Sequence, residues 1–157
     1  MHDDMKILFI CTANMCRSPF AENLARKIFT QYNLNDFSFD SAGTAAENNC
    51  KAVKDAVLWG CKFDLDFKEH RSKQVSKELL DEAEIVCAME KHHYEYLNAY
   101  FPEYKNKIKL LSEYVIGGER GFDILDPVGK KSAYYEKSFT DIDRCIRGLA
   151  EFCSEEY

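Results

Sequence analysis

The sequence predicts an α/β fold: a single three-layer domain over residues 1–157, built on a four-stranded parallel sheet with helices on both faces. Three observations lead there. The length of 157 residues suits one domain, and no repeat, low-complexity tract or Pro/Gly/Ser linker divides it. With 46% hydrophobic and 13% aromatic residues, the chain can bury a real core. Short apolar runs alternate with stretches of helical periodicity, and strands that alternate with helices join by right-handed crossovers into a parallel sheet.

Each element has its own signal. Ile7-Leu8-Phe9-Ile10 is a continuous apolar run, as a strand covered on both faces requires. From Arg17 to Gln31, Ala21, Leu24, Ala25 and Ile28 recur at helical spacing, with Pro19 in the first turn. Phe37 to Ser41 alternates like a strand and stops at Gly43. Ala52, Val53, Ala56 and Val57 predict a helix over residues 49–59 that ends at Gly60. Ser76 to Asp81 reads as a short helix and Ile85 to Met89 as another buried strand. Glu90 to Tyr100 reads as a helix stopped before Pro102. Ile108 to Leu111 is the fourth strand. Tyr135, Phe139, Ile142, Ile146, Leu149 and Cys153 keep the period of one docked amphipathic helix. Of the two common doubly wound orders, the flavodoxin-like 2-1-3-4 is the one expected here. Gly117, Gly118, Gly121 and Gly129 crowd between the fourth strand and the last helix, which predicts a mobile surface loop. Loops at the carboxyl edge of a parallel sheet carry chemistry.

Composition removes several classes of function. With 21 basic and 27 acidic residues the formal charge is −6, which disfavours a general nucleic-acid binder or a polybasic membrane protein. No stretch approaches the ~18 apolar residues of a membrane span, and Ile7 to Ile10 is too short for a signal-peptide core. The 7 cysteines cannot all pair internally and show no C-x-x-C spacing. His2, His70, His92 and His93 fall into no zinc-finger pattern. Free thiols in a reducing cytoplasm, with no metal and no cofactor, are the expectation.

The segment joining the first strand to the first helix reads Cys11-Thr12-Ala13-Asn14-Met15-Cys16-Arg17-Ser18. This is C-x-x-x-x-x-R-S between a buried strand and a helix N-terminus. Inward-turned backbone N–H groups form an anion nest, and the start of the helix adds free donors and the positive end of its dipole. Arg17 supplies a planar fork that matches phosphate oxygens. Cys11, at the centre of that field, is a thiolate nucleophile placed beneath a bound phosphate. A bare match to this pattern is common and a buried cysteine is usually core. The strand-loop-helix context and Ser18 reverse that balance. Asn14 tolerates the left-handed backbone that a nest needs. Cys16 is a redox partner, able to close reversibly onto Cys11 under oxidant and protect it. The other five cysteines, Cys50, Cys61, Cys87, Cys145 and Cys153, read as small apolar packing residues.

With these residues in view, the sequence resembles the low-molecular-weight protein tyrosine phosphatases. Their pattern is roughly C-x-G-N-x-C-R-S-P-x-A-E, and this chain has CTANMCRSPFAE. Asp40 to Thr44 looks like the end of the family's second strand, and His70-Arg71-Ser72-Lys73-Gln74 like its H-R-x-R-Q segment. Val86 to Glu90 looks like its third strand and Asp126-Pro127-Val128-Gly129 like its acid loop. The resemblance implies that Cys11 is the nucleophile and that Arg17 binds phosphate with the backbone of Thr12, Ala13, Asn14, Met15 and Cys16. It implies that Asp126 is the general acid and that Asn14, Ser18, Ser41 and His70 support the loop. The substrates implied are tyrosine-phosphorylated proteins or peptides and small aryl phosphates, with phosphate and other oxyanions as ligands. Ala13 replaces the usual Gly; Glu47, Asn48 and Asn49 occupy a region where relatives often carry a Trp, and Val128 stands where many have an aromatic. Arsenate reductases and protein-arginine phosphatases on the same fold are alternatives. The first pass a disulfide from the loop cysteine to two further cysteines near the third strand, where Cys87 offers one and Tyr94 and its neighbours offer no second; the second favour Thr where this loop has Met15. An inactive phosphate-binding protein is a further alternative, opposed by intact Cys11, Arg17 and Asp126.

Overall fold

The structure, a computed structural model, describes residues 3–157, so Met1 and His2 lie outside it. Strands β1 (Met5–Cys11), β2 (Phe37–Gly43), β3 (Ala83–Ala88) and β4 (Ile108–Leu110) form one sheet. They pair in parallel in the order β2-β1-β3-β4, the expected flavodoxin-like order. Among the described residues, five α-helices surround it: α1 (Arg17–Gln31), α2 (Lys54–Cys61), α3 (Lys77–Glu82), α4 (Lys91–Tyr100) and α5 (Ser132–Glu156).

The central strand β1 explains the three layers. Ile7 and Phe9 pack with Phe20, Ile28, Phe139 and Ile142 under α1 and α5. Leu8 and Ile10 point the other way, to Leu80 of α3 and Leu97 of α4. All four strand residues are fully buried, so the run is apolar without alternation because both faces are covered. Phe20 and Phe139 stack with ring centroids 3.8 Å apart and lock α1 to α5; such a pair adds ~1 kcal/mol beyond its buried area.

Four expectations change. The helix predicted over 49–59 starts only at Lys54, because the residues before it bond outside any helix. The Asn49 N–H donates to the Ser72 carbonyl and the Val53 N–H to the Met15 carbonyl, each at 2.8 Å. Asn49 itself sits at φ +70°, which no right-handed helix accepts. Gly60 does not end the helix; the ring of Phe67 occupies the place its Cβ would take.

The glycine-rich loop is not loose throughout. Gly117, Gly118 and Gly121 turn the chain at positive φ. The next four residues are then pegged one by one. Ser112 Oγ donates to the Phe122 carbonyl at 2.6 Å, and the Lys91 N–H to Asp123 Oδ1 at 2.8 Å. The Ile124 N–H donates to the Met89 carbonyl at 2.9 Å, and Ser138 Oγ to the Leu125 carbonyl at 2.7 Å. Residues 122–125 therefore form an anchored strap rather than a mobile loop.

Among the cysteines, Cys87, Cys145 and Cys153 are buried as packing residues, but Cys61 is exposed and Cys50 only half-buried. All seven thiols are free. Among the described residues, no helix is long and apolar enough to cross a membrane.

Candidate active site

The crossovers leave β1 in opposite directions on its two sides, so a crevice opens beyond its carboxyl end, where open α/β sheets bind ligands. Cys11 ends β1 opposite Gly43 of β2. Beyond the sheet edge the pairing continues: the Thr44 N–H donates to the Cys11 carbonyl and the Ala45 N–H to the Thr12 carbonyl, each at 2.9 Å. A Cβ on Gly43 would collide with the Thr12 carbonyl oxygen, so glycine there lets the loop lie flat against β2. Asn14 takes the left-handed turn at φ +57°. Ala13 is not among the positive-φ residues, so alanine in place of glycine introduces no strain.

Asn14 is fully buried and organises the loop from within. Its Nδ2 donates to Ser18 Oγ and to Ser41 Oγ, both at 2.9 Å, and its Oδ1 accepts the Lys73 N–H at 3.0 Å. His70 Nε2 lies 2.7 Å from the Asn14 carbonyl; a carbonyl only accepts, so His70 carries a proton on Nε2. Burial lowers the pKa of His70 from its ordinary value. Ser41 donates onward to Glu22 Oε1 at 2.6 Å. Ser18 Oγ, already accepting from Asn14, is left to direct its own proton at Cys11 Sγ, 2.9 Å away.

Arg17 is 2% exposed, and both hydrogens of its Nη1 are taken, by Glu90 Oε2 at 2.7 Å and the Ile124 carbonyl at 2.6 Å. The Nη2–Nε edge of the guanidinium is the fork left for an oxyanion. Glu90 is also the N-cap of α4, in a reciprocal box with His93. The Glu90 N–H donates to His93 Nδ1 at 3.1 Å, which leaves Nε2 as the donor to Thr12 Oγ1 at 2.7 Å. Burial first, then the positive charge of Arg17, brings the His93 pKa down to about 3. Glu90, His92 and His93 hold metal-ligand atoms within 4.8 Å of one another, yet those of Glu90 and His93 are engaged in this network. Sequence reasoning missed Glu22, Glu90 and His93. The signal for the last two was the capping spacing E-x-x-H at a helix start.

Asp126 follows the anchored strap and is exposed; its Oδ1 accepts the Val128 N–H at 3.0 Å. Cys16 is buried, and burial, followed by the negative charges of Cys11 and Asp126, raises its thiol well above the ordinary pKa. Thr12 and Met15 are half-buried on the loop. Val128 is 43% exposed, and Glu47 is exposed with its carbonyl accepting from Ser72 Oγ. Cys87 lies fully buried within β3, where burial raises its pKa.

Comparison with known proteins bears on this geometry. The family model described as "Low molecular weight phosphotyrosine protein phosphatase" matches residues 6–157. A protein-arginine-phosphatase of Bacillus subtilis is 36% identical over 149 residues, covering 94% of this chain and 95% of its own. The low molecular weight protein-tyrosine-phosphatase Wzb of Salmonella typhi is 30% identical over 151 residues, 96% of this chain and 95% of its own. Among solved structures, the arginine phosphatase YwlE, in a mutant form with a phosphorylated active-site serine, superposes with a TM-score of 0.89. It is 33% identical, covering 97% of each chain.

Proposed function

The chain belongs to the low molecular weight phosphotyrosine protein phosphatase family, and from that premise we propose that it hydrolyses phosphotyrosine in proteins and peptides, and small aryl phosphates. The observation that carries this reading is the Cys11 sulfur: it receives the Ser18 hydroxyl at 2.9 Å and sits in a nest closed by buried Arg17.

The chemistry follows from the loop. Backbone N–H groups of residues 12–17 and the Nη2–Nε edge of Arg17 hold the phosphoryl oxygens and the charge that builds on them in the transition state. The Cys11 thiolate attacks phosphorus, the bond from phosphorus to the phenolic oxygen breaks, and Asp126 delivers its proton to that oxygen. Asp126, now a carboxylate, takes a proton from water, which attacks the phosphocysteine. The phosphorus–sulfur bond breaks, releasing phosphate and restoring the thiolate. Ser18 stabilises the thiolate as nucleophile and as leaving group, while Asn14, Ser41 and His70 hold the loop in shape. Cys16 is the redox partner: a sulfenic acid on Cys11 condenses with its thiol, expelling water, and is spared further oxidation. Seven free thiols suit a reducing cytoplasm.

Met15 supports an aromatic substrate. A thioether packs well against a ring, whereas a desolvated guanidinium facing it would lose polar partners. The 36% identity to an arginine phosphatase favours a second reading, hydrolysis of phosphoarginine by the same phosphocysteine route. Hydrolysis rates on one peptide carrying either phosphotyrosine or phosphoarginine decide between them. We expect the wild type to prefer phosphotyrosine, and Met15→Thr to shift the ratio towards phosphoarginine by about tenfold. A wild type that prefers phosphoarginine would overturn the tyrosine assignment.

A further inference from the structure

The strap that leads to Asp126 is held from two directions. Ile124, fully buried, bonds to Met89 and Arg17 and so belongs to the phosphate side of the site. Leu125, the residue immediately before Asp126, is held differently. Its side chain is 56% exposed, so packing does not fix it. Its carbonyl is instead gripped by Ser138 Oγ at 2.7 Å, from α5. Ser138 is 4% exposed among the apolar residues Tyr135, Phe139 and Ile142 of the same helix face. A serine within a helix has a ready local acceptor in the carbonyl one turn back. This one reaches across to the strap, where the backbone would otherwise lose a partner.

We propose that Ser138 is a positioning residue for the general acid: by holding the Leu125 carbonyl against α5, it fixes the backbone from which the Asp126 carboxyl projects. The inference rests on the reading of Asp126 as the acid. It separates two functions of one strap, because Ile124 serves phosphate binding through Arg17 while Leu125 serves proton delivery through Ser138. Loss of the Ser138 hydroxyl therefore weakens protonation of the leaving group and leaves phosphate binding intact.

The experiment measures phenol release in the first turnover for aryl phosphates of graded leaving-group acidity, with inhibition by inorganic phosphate measured alongside. It compares wild type, Ser138→Ala, Ser138→Thr, Asp126→Ala and the Ser138→Ala/Asp126→Ala double variant. Ser138→Ala is expected to slow release of unactivated phenol on the order of tenfold, with a much smaller effect on p-nitrophenol, which needs little protonation. Inhibition by phosphate stays at the wild-type level, Ser138→Thr restores release, and Ser138→Ala changes nothing further once Asp126 is alanine. If the alanine variant does not fold, Ser138→Cys keeps the volume, weakens the donor and carries the same comparison. Equal slowing for all phenols, further slowing in the Asp126→Ala background, or weakened phosphate inhibition would overturn the role of Ser138 while leaving Asp126 as the acid. Were Asp126→Ala itself to show no dependence on the leaving group, the acid assignment would fail and this inference with it.

Discussion

Asn14 binds Ser18, Ser41, Lys73 and His70 from one buried position, and most of the site's shape depends on it. Its left-handed turn was legible locally, since asparagine tolerates that backbone. Its partners on β2 and in the 70–74 segment lie far along the chain, and only resemblance to a family pointed to them. Glu90 and His93 were not legible as site residues at all: on a sequence they read as the start of a helix, and their bonds to Arg17 and Thr12 exist only once α4 is docked. His93 has a measurable consequence. Its pKa is about 3 in the folded chain against 6.5 ordinarily, so between those values the unfolded chain binds a proton that the folded chain refuses. The stability from neutral His93 is fully present above about 6.5 and is lost as pH falls towards 3. Melting temperatures across that range should fall more steeply for wild type than for His93→Gln. Parallel curves would remove His93 as the cause.

At the scale of elements, period and punctuation located α1, α5 and the strands, whose bonds stay within the helix or sheet. They failed where backbone groups bond elsewhere: residues 49–53 and 122–125 serve the site, and nothing in local periodicity announces a distant partner. Gly148 is a similar case. It lies inside α5, where alanine would be the better helix former by ~1 kcal/mol. A Cβ at that point would collide with the Tyr114 carbonyl in the 3₁₀ turn Leu111–Tyr114, which packs against α5. The collision is with backbone and outweighs propensity. Gly148→Ala is expected to lose about 1–3 kcal/mol net in urea unfolding. An alanine variant as stable as wild type would show that α5 can shift away from the turn.

For the molecule as a whole, the net charge of −6 offers no general attraction to anionic substrates, so affinity for a phosphoryl group must be local. The fold supplies that locality. Order β2-β1-β3-β4 opens the crevice beyond β1, α1 directs its N-terminus there, and strands on both sides bring Ser41 and Glu90 to the same edge. The fold class and the nucleophile loop could be read from the chain because both are local patterns repeated in order. The surrounding network could not, because it is assembled by the sheet. The proposed reaction stands on covalent catalysis at Cys11. Its most direct test is to quench the enzyme rapidly during turnover of a phosphotyrosine peptide and locate any bound phosphoryl group by mass spectrometry. A single phosphoryl group on the Cys11 sulfur is expected. Turnover at the wild-type rate with no phosphoryl group on Cys11, or with one on another residue, would contradict it.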